Sequence, residues 1–177
     1  ISPDGELLAL VGYEELTISS VEAPDKVSTT IALPKADVAT MYQTAWLNGD
    51  QVAVSGFTAN GAFVWVASIS EGTLRPAQLI TNEVNWESRN LWRVGLVGTD
   101  ENNNLVTRVA GVDGNDIVQF RDAESFEVRS NINISDSTIT YIMNGARSAM
   151  VNNQGVLSVW WGNGSPEIVG DDYNWAG

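Results

Sequence analysis

The sequence contains no cysteine and no histidine. Those absences exclude disulfides, thiol nucleophiles, Ser-His-Asp triads, imidazole general bases and zinc sites built from Cys or His. Catalysis would fall to carboxylates, Tyr, Lys or a hydroxyl with an unusual base. Cations are also scarce: nine Lys and Arg stand against 22 Asp and Glu, a net charge of −13. Such a surface repels phosphates and anionic headgroups, so nucleic acid is disfavoured as a partner. Long apolar runs are missing too. None approaches the roughly 20 residues that cross a bilayer, and no membrane insertion is expected within these 177 residues. What is present is 44% hydrophobic content, enough for one folded domain spanning 1–177.

The pattern along the chain is short apolar or alternating runs between turn residues, which is β-structure. Ser2-Pro3-Asp4-Gly5 is a turn before the apolar run Leu7 to Tyr13, and Leu16 to Val21 alternates after a turn at Glu14-Glu15. Ala23 to Lys26 has turn chemistry, and Val27 to Leu33 reads as a third strand stopped by Pro34. The order then recurs. Ala45-Trp46-Leu47 meets an Asn48-Gly49-Asp50 turn, two strands separated by Asn60-Gly61 follow, and Leu74 to Ile80 completes the unit. A third unit has Leu91 to Val97, a polar turn over 100–104, Leu105 to Gly111, Ile117 to Phe120 and a strand from Phe126. The fourth has Thr138 to Met143, Ser148 to Val151, Val156 to Trp161 and a short run at Glu167 to Val169. Helical periodicity is not sustained, and Asp37 to Gln43 reads as loop.

Aligning Ala9, Ala53, Ala110 and Ala149 gives offsets of 44, 57 and 39 residues. A repeat near 45 suits four-stranded antiparallel meanders arrayed as propeller blades. The expected fold is therefore all-β, a β-propeller-like array of about four blades at 1–40, 41–85, 86–134 and 135–177. A β-sandwich is the alternative. The turn Ser2-Pro3-Asp4-Gly5 before a strand resembles the strand-entry motif of bacterial propellers of the TolB and WD-repeat type, with Trp46 to Asp50 as an altered copy. The Trp-rich, acidic chain is also similar to the C-terminal propeller of LpqB-type actinobacterial lipoproteins. That resemblance implies an extracytoplasmic interaction domain on an anchored envelope protein that modulates a sensor kinase. Because the chain opens inside a strand-entry motif, a piece of a larger propeller is expected.

Seven tryptophans offer contact surfaces. Trp65 and Trp160, in second hairpins, are expected to pack between sheets, whereas Trp86 in a polar loop and Trp175 in the tail are the candidate partner-binding residues. Trp160 and Trp161 are adjacent and must face opposite sides of a strand. Asp100, Asn102 and Asn104 place oxygens at alternate positions, the way a hard cation such as calcium is wrapped, although a solvated turn explains them equally. Asp113 to Asp116 and Asp171-Asp172 are acid clusters that could serve glycoside hydrolysis only if they converge. Asn133-Ile134-Ser135 and Asn163-Gly164-Ser165 match a glycosylation triplet that also arises by chance. The reading is a non-catalytic protein-interaction or scaffold module, extracytoplasmic and needing no cofactor. The alternatives are a carbohydrate-active enzyme using Asp and Glu, or a ligand- or calcium-binding sensor.

Overall fold

The structure, a computed structural model, describes residues 1–34, 43–58, 60–81, 95–100, 102–110, 116–134, 138–144, 147–152, 157–161 and 167–170. These residues form four antiparallel sheets, each following chain order. Sheet 1 is β1 (Leu7–Val11), β2 (Glu15–Ser20) and β3 (Ala23–Ala32). Sheet 2 is β4 (Gln43–Trp46), β5 (Gln51–Thr58) and β6 (Gly61–Ser68), with β7 (Thr73–Leu74) and β8 (Gln78–Thr81) both pairing β6. Sheet 3 is β9 (Gly95–Thr99), β10 (Leu105–Ala110), β11 (Asp116–Arg121) and β12 (Val128–Ile134). Sheet 4 is β13 (Thr138–Asn144), β14 (Arg147–Asn152), β15 (Leu157–Trp161) and β16 (Glu167–Gly170).

Several boundaries depart from the sequence expectation, each for a local reason. Residues 23–26 are the start of β3 rather than a turn, because the chain reverses earlier and Ser20 pairs with Ala23. Pro24 is tolerated because β3 is an edge strand with register shifts opposite Ser19, where a missing N–H costs no ladder bond. The single strand expected over 74–80 is instead two, interrupted around Pro76, which cannot donate to β6. Phe126 is not in a strand: its φ of 63° puts it in a left-handed turn before β12. The third repeat is displaced as well. Ala9, Ala53 and Ala149 are each the third residue of their strand, but that place in β10 belongs to Thr107, not Ala110. The loop expected over Asp37 to Gln43 falls, but for Gln43, outside the described residues.

Backbone contacts divide the chain into two compact units, Ile1–Leu96 and Val97–Gly177. In the first, sheets 1 and 2 pack face to face. Leu16, Ile18 and Ile31 of sheet 1 meet Trp46, Val52, Val54 and Ala67 of sheet 2, with Leu7, Ala9 and Val11 packed on the same cluster. Strand alternation supplies this pattern: Leu7, Ala9 and Val11 point one way and Leu8 and Leu10 the other. Each fully buried Leu, Ile or Val contributes about 1.5–3 kcal/mol. In the second unit Leu105, Val106, Val118 and Phe120 are buried, and Arg121, paired with Leu105 and so on the opposite face from Val106, Val118 and Phe120, is buried as well. Arg121 donates to Gln119 Oε1 at 2.6 Å, Thr107 Oγ1 at 3.2 Å and the Phe126 carbonyl at 3.2 Å, and its Cζ stands 4.6 Å from the Phe126 ring centroid. These contacts satisfy a charge that would be costly alone, and they explain why a phenylalanine holds a conformation that favours glycine.

Candidate functional site

One end of each of the first three sheets is built by two facing turns with shared side-chain chemistry. The turn before the second strand of the meander starts with an Asx residue whose carbonyl or carboxylate oxygen accepts the amide two residues on. Asp4 Oδ1 accepts from Glu6 N at 3.0 Å, Asn48 Oδ1 from Asp50 N at 2.8 Å, and Asp100 Oδ1 from Asn102 N at 2.9 Å. A short polar side chain in this place pre-forms the reversal before any sheet pairs. The facing turn has its own cap. Ser20 Oγ accepts from Glu22 N, Ser68 Oγ from Glu71 N, and Asp122 Oδ1 from the amides of Glu124 and Ser125. Crosslinks join the pair: Val21 N donates to the Glu6 carbonyl, and Ile69 N and Ser70 N donate to the Asp50 carbonyl and carboxylate.

In the first unit these turns gather acids. A cleft of about 530 Å³ at the end of sheet 1 is lined by Asp4, Gly5, Glu6, Ser20, Val21 and Glu22. The neighbouring turn of sheet 2 lies alongside, since a Cβ at Gly49 would stand 3.8 Å from Asp4 Oδ2. Asp50 adds an acid in that turn, its Oδ1 accepting from Ser70 N of the facing turn. Two of these carboxylates, Asp4 and Asp50, are set to stay ionised. The Ser2 hydroxyl, 2.5 Å from Asp4 Oδ1, together with the Glu6 amide holds Asp4 below the usual carboxylate range, and the Ser70 amide does the same for Asp50. An open cleft rimmed by charged, hydrated carboxylates with half-exposed Val21 at its wall can take a cationic group on an aliphatic stem.

Of the residues singled out in the sequence, Trp86, Trp175, the cluster 113–115 and Asp171-Asp172 lie outside the described residues. Trp65 is buried and packs 6.1 Å from Phe63 between ring centroids, and Trp46 is part of the core between sheets 1 and 2. Trp65 pairs with the fourth residue of β5 and Trp160 with the second of β14, so the two stand two positions apart in register instead of matching. Asp100, Asn102 and Asn104 are brought into one turn. Both Asp100 oxygens are engaged there, Oδ1 by the amides of Asn102 and Asn104 and Oδ2 by Asn104 Nδ2 at 2.8 Å. Among the described residues no group of three or more carboxylates is placed to hold a metal ion. Sequence reasoning missed Glu6 and Glu22, and it missed exposed Tyr13 at the β1–β2 tip, 64% accessible. Superposing the Asx residues of the turns, rather than the alanines, aligns Glu6 with Asp50 and Asn102 and is the signal that would have placed Glu6 in the turn.

No family model matches the sequence, and no curated protein does. Solved structures do. A chain of the mitotic checkpoint complex aligns over 94% of this chain and 47% of its own length, with a TM-score of 0.62 and 16% identity. The WD40 domain of SCAP from fission yeast aligns over 98% of this chain and 41% of its own, with a TM-score of 0.54 and 10% identity. A chain of the Kuenenia stuttgartiensis hydrazine synthase aligns over 95% and 63%, with a TM-score of 0.52 and 15% identity. The chain thus spans less than two thirds of each of these structures. At such identities the likeness is one of fold, and the fold is the all-β propeller type.

Proposed function

We propose that the chain is a non-catalytic interaction module of a propeller-type protein, which presents the acidic turn end of its first unit to a cationic segment of a protein partner. The observation that carries this reading is the cleft between Asp4, Glu6 and Glu22, with Asp50 in the neighbouring turn, in which hydroxyl and amide donors favour the charged form of Asp4 and Asp50. Rigid sheets holding a charged rim give an encounter surface that steers oppositely charged partners. Glycoside hydrolysis needs one acid that keeps its proton near neutrality. Among the described residues, the carboxylates with displaced pKa values, Asp4, Asp50 and Asp122, are all displaced downward. An extracytoplasmic setting of the TolB or LpqB kind belongs to the same reading, supported by the Ser2-Pro3-Asp4-Gly5 entry motif and the net charge of −13.

The test is titration calorimetry with a lysine-rich decapeptide. Binding is expected to weaken steeply with salt, and the double variant Glu6→Gln, Glu22→Gln to bind about threefold to tenfold more weakly, the scale of two exposed ion pairs. Equal binding of that variant, or of a glutamate-rich control peptide, overturns the reading.

A further inference from the structure

We propose that Asn48-Gly49 is a self-modifying site: in the folded chain its turn directs the Gly49 amide onto the Asn48 side chain and, with water as co-reactant, converts the carboxamide to a carboxylate. Asn48 opens the β4–β5 turn, at the place that Asp4 and Asp100 hold in the equivalent turns of sheets 1 and 3. Its Oδ1 accepts from Asp50 N at 2.8 Å and from Gln51 N at 2.9 Å, and its Nδ2 donates to Gln51 Oε1 at 3.1 Å. Residues 48–51 lie within one described stretch, so these contacts are local.

The turn supplies what ring closure needs. Cγ, Cβ, Cα and C of Asn48 and N of Gly49 are consecutive members of the ring closed by the bond from Asp50 N to Oδ1, so the atoms of a succinimide are already curled together. Two amides on Oδ1 polarise the Cγ carbonyl and face the oxygen charge that develops on attack, as the donors of an oxyanion hole do. Among the described residues no acceptor takes the Gly49 N–H, and glycine puts no Cβ in the way. The other candidates lack this combination. In Asp4-Gly5 the glycine amide already donates to the Ser2 carbonyl at 3.0 Å, and a carboxylate held in its charged form resists attack. In Asn60-Gly61 the glycine is buried and pairs with Thr58 in the β5–β6 ladder, so its amide must leave the hairpin before it can attack. Asn144-Gly145 and Asn163-Gly164 reach outside the described residues.

Hydroxide takes the proton from Gly49 N, the nitrogen bonds to Cγ, and the Cγ–Nδ2 bond breaks, with Nδ2 leaving as ammonia after taking a proton from water. Water then opens the ring. Cleavage of the new Cγ–N bond gives aspartate, and cleavage at the α-carbonyl gives isoaspartate, whose main chain runs through Cγ. Nothing is oxidised or reduced: a carboxamide and water become a carboxylate and ammonium. The aspartate keeps an oxygen acceptor for Asp50 N and Gln51 N, as Asp4 does for Glu6 N, but loses the donation to Gln51 Oε1. The isoaspartate lengthens the main chain inside the reversal that Leu47 N closes on the Gln51 carbonyl at 2.9 Å, and so loosens it. Either product adds one negative charge to the net −13, in the turn where a Cβ at Gly49 would stand 3.8 Å from Asp4 Oδ2.

The test is to incubate the whole folded chain in heavy-oxygen water at mildly alkaline pH, digest it, and follow its peptides by mass spectrometry, with Asn48→Asp as the chromatographic standard for the aspartate product. Asn48 is expected to take up heavy oxygen at a rate that rises with hydroxide, and to convert about fivefold faster than Asn60, the scale of one ladder hydrogen bond that must open at Gly61. The same incubation in urea is expected to bring the two sites to one rate, because both are Asn-Gly and only the fold tells them apart. Asn48 itself should react at least as fast in the folded chain as in urea. Slower reaction of Asn48 in the folded chain would show that the turn shields the carboxamide, and overturns the proposal. Equal rates at Asn48 and Asn60 in the folded chain, or a preference that urea leaves unchanged, overturn it as well, since the turn would then contribute nothing.

Discussion

Sheets 1 and 2 are built to one plan and live in different surroundings. Both carry an Asx turn, both place an alanine third in the strand that follows it, and both clamp a serine turn at the same end. In sheet 2, β5 and β6 are buried on both faces, so Val52, Val54, Val64 and Val66 are all inaccessible or nearly so. In sheet 1 one face is packed by Leu16, Ile18 and Ile31, while Leu10 and Val27 are exposed. Among the described residues the same repeat is thus packed on both faces in one place and on one face in the other. A repeat pattern specifies which residues alternate, but the neighbours decide which alternation is buried.

The comparison breaks most sharply on a charge. Val54→Asp puts a carboxylate where nothing can solvate it, and a loss of more than about 4 kcal/mol is expected, enough to unfold a domain of ordinary stability. Leu10→Asp, at the same strand position in sheet 1, is expected to cost about 0.5 kcal/mol or less, as surface changes do. Urea denaturation of the two variants checks this. Similar costs would mean that the two positions share one environment.

A smaller effect separates the facing turns. Gly72, at φ 66°, lets sheet 2 reverse between β6 and β7, whereas the β2–β3 reversal at Val21-Glu22 needs no left-handed residue. Gly72→Ala should therefore lower stability by about 1 kcal/mol, the cost of forcing a Cβ into that conformation, while Val21→Ala leaves the melting temperature nearly unchanged.

Much of this plan was legible because turn dipeptides and strand alternation act locally. Asn48-Gly49-Asp50 and the 100–104 turn fall between strands, Asn60 lies in the β5–β6 reversal with Gly61 opening β6, and Leu16-Thr17-Ile18 alternates in the structure as in the sequence. What the sequence hid depends on contacts between segments. Pro24 reads as a turn residue until its strand is known to be an edge. Ala110 looks like the repeat's alanine until pairing with β11 puts Thr107 in that place. Glu6 and Glu22 are unremarkable 16 positions apart, and only pairing of Leu7 with Ser20 brings them to one cleft.

The least energetic distinction is the one between a charged and a neutral residue in the same turn. Asn48 and Asp4 do one job, but only Asp4 titrates. Its folded pKa lies below the ordinary carboxylate value of about 3.9, because the Ser2 hydroxyl and then the Glu6 amide favour the charged form. Its contribution is therefore fully present above that value and is lost as pH falls toward the lower folded one. Asp122, held down to about 2 by the amides of Ser125 and Glu124, behaves the same way over a wider window. Asp4→Asn converts the sheet 1 turn to the chemistry of sheet 2, keeping an oxygen acceptor for Glu6 N. The melting temperature of this variant is expected to fall less steeply between about pH 4 and pH 2 than that of the parent chain. Asp122→Asn should flatten the same limb more. Parallel curves for all three proteins would show that these carboxylates gain nothing from their turns, and the match between Asp4 and Asn48 would then be one of shape alone.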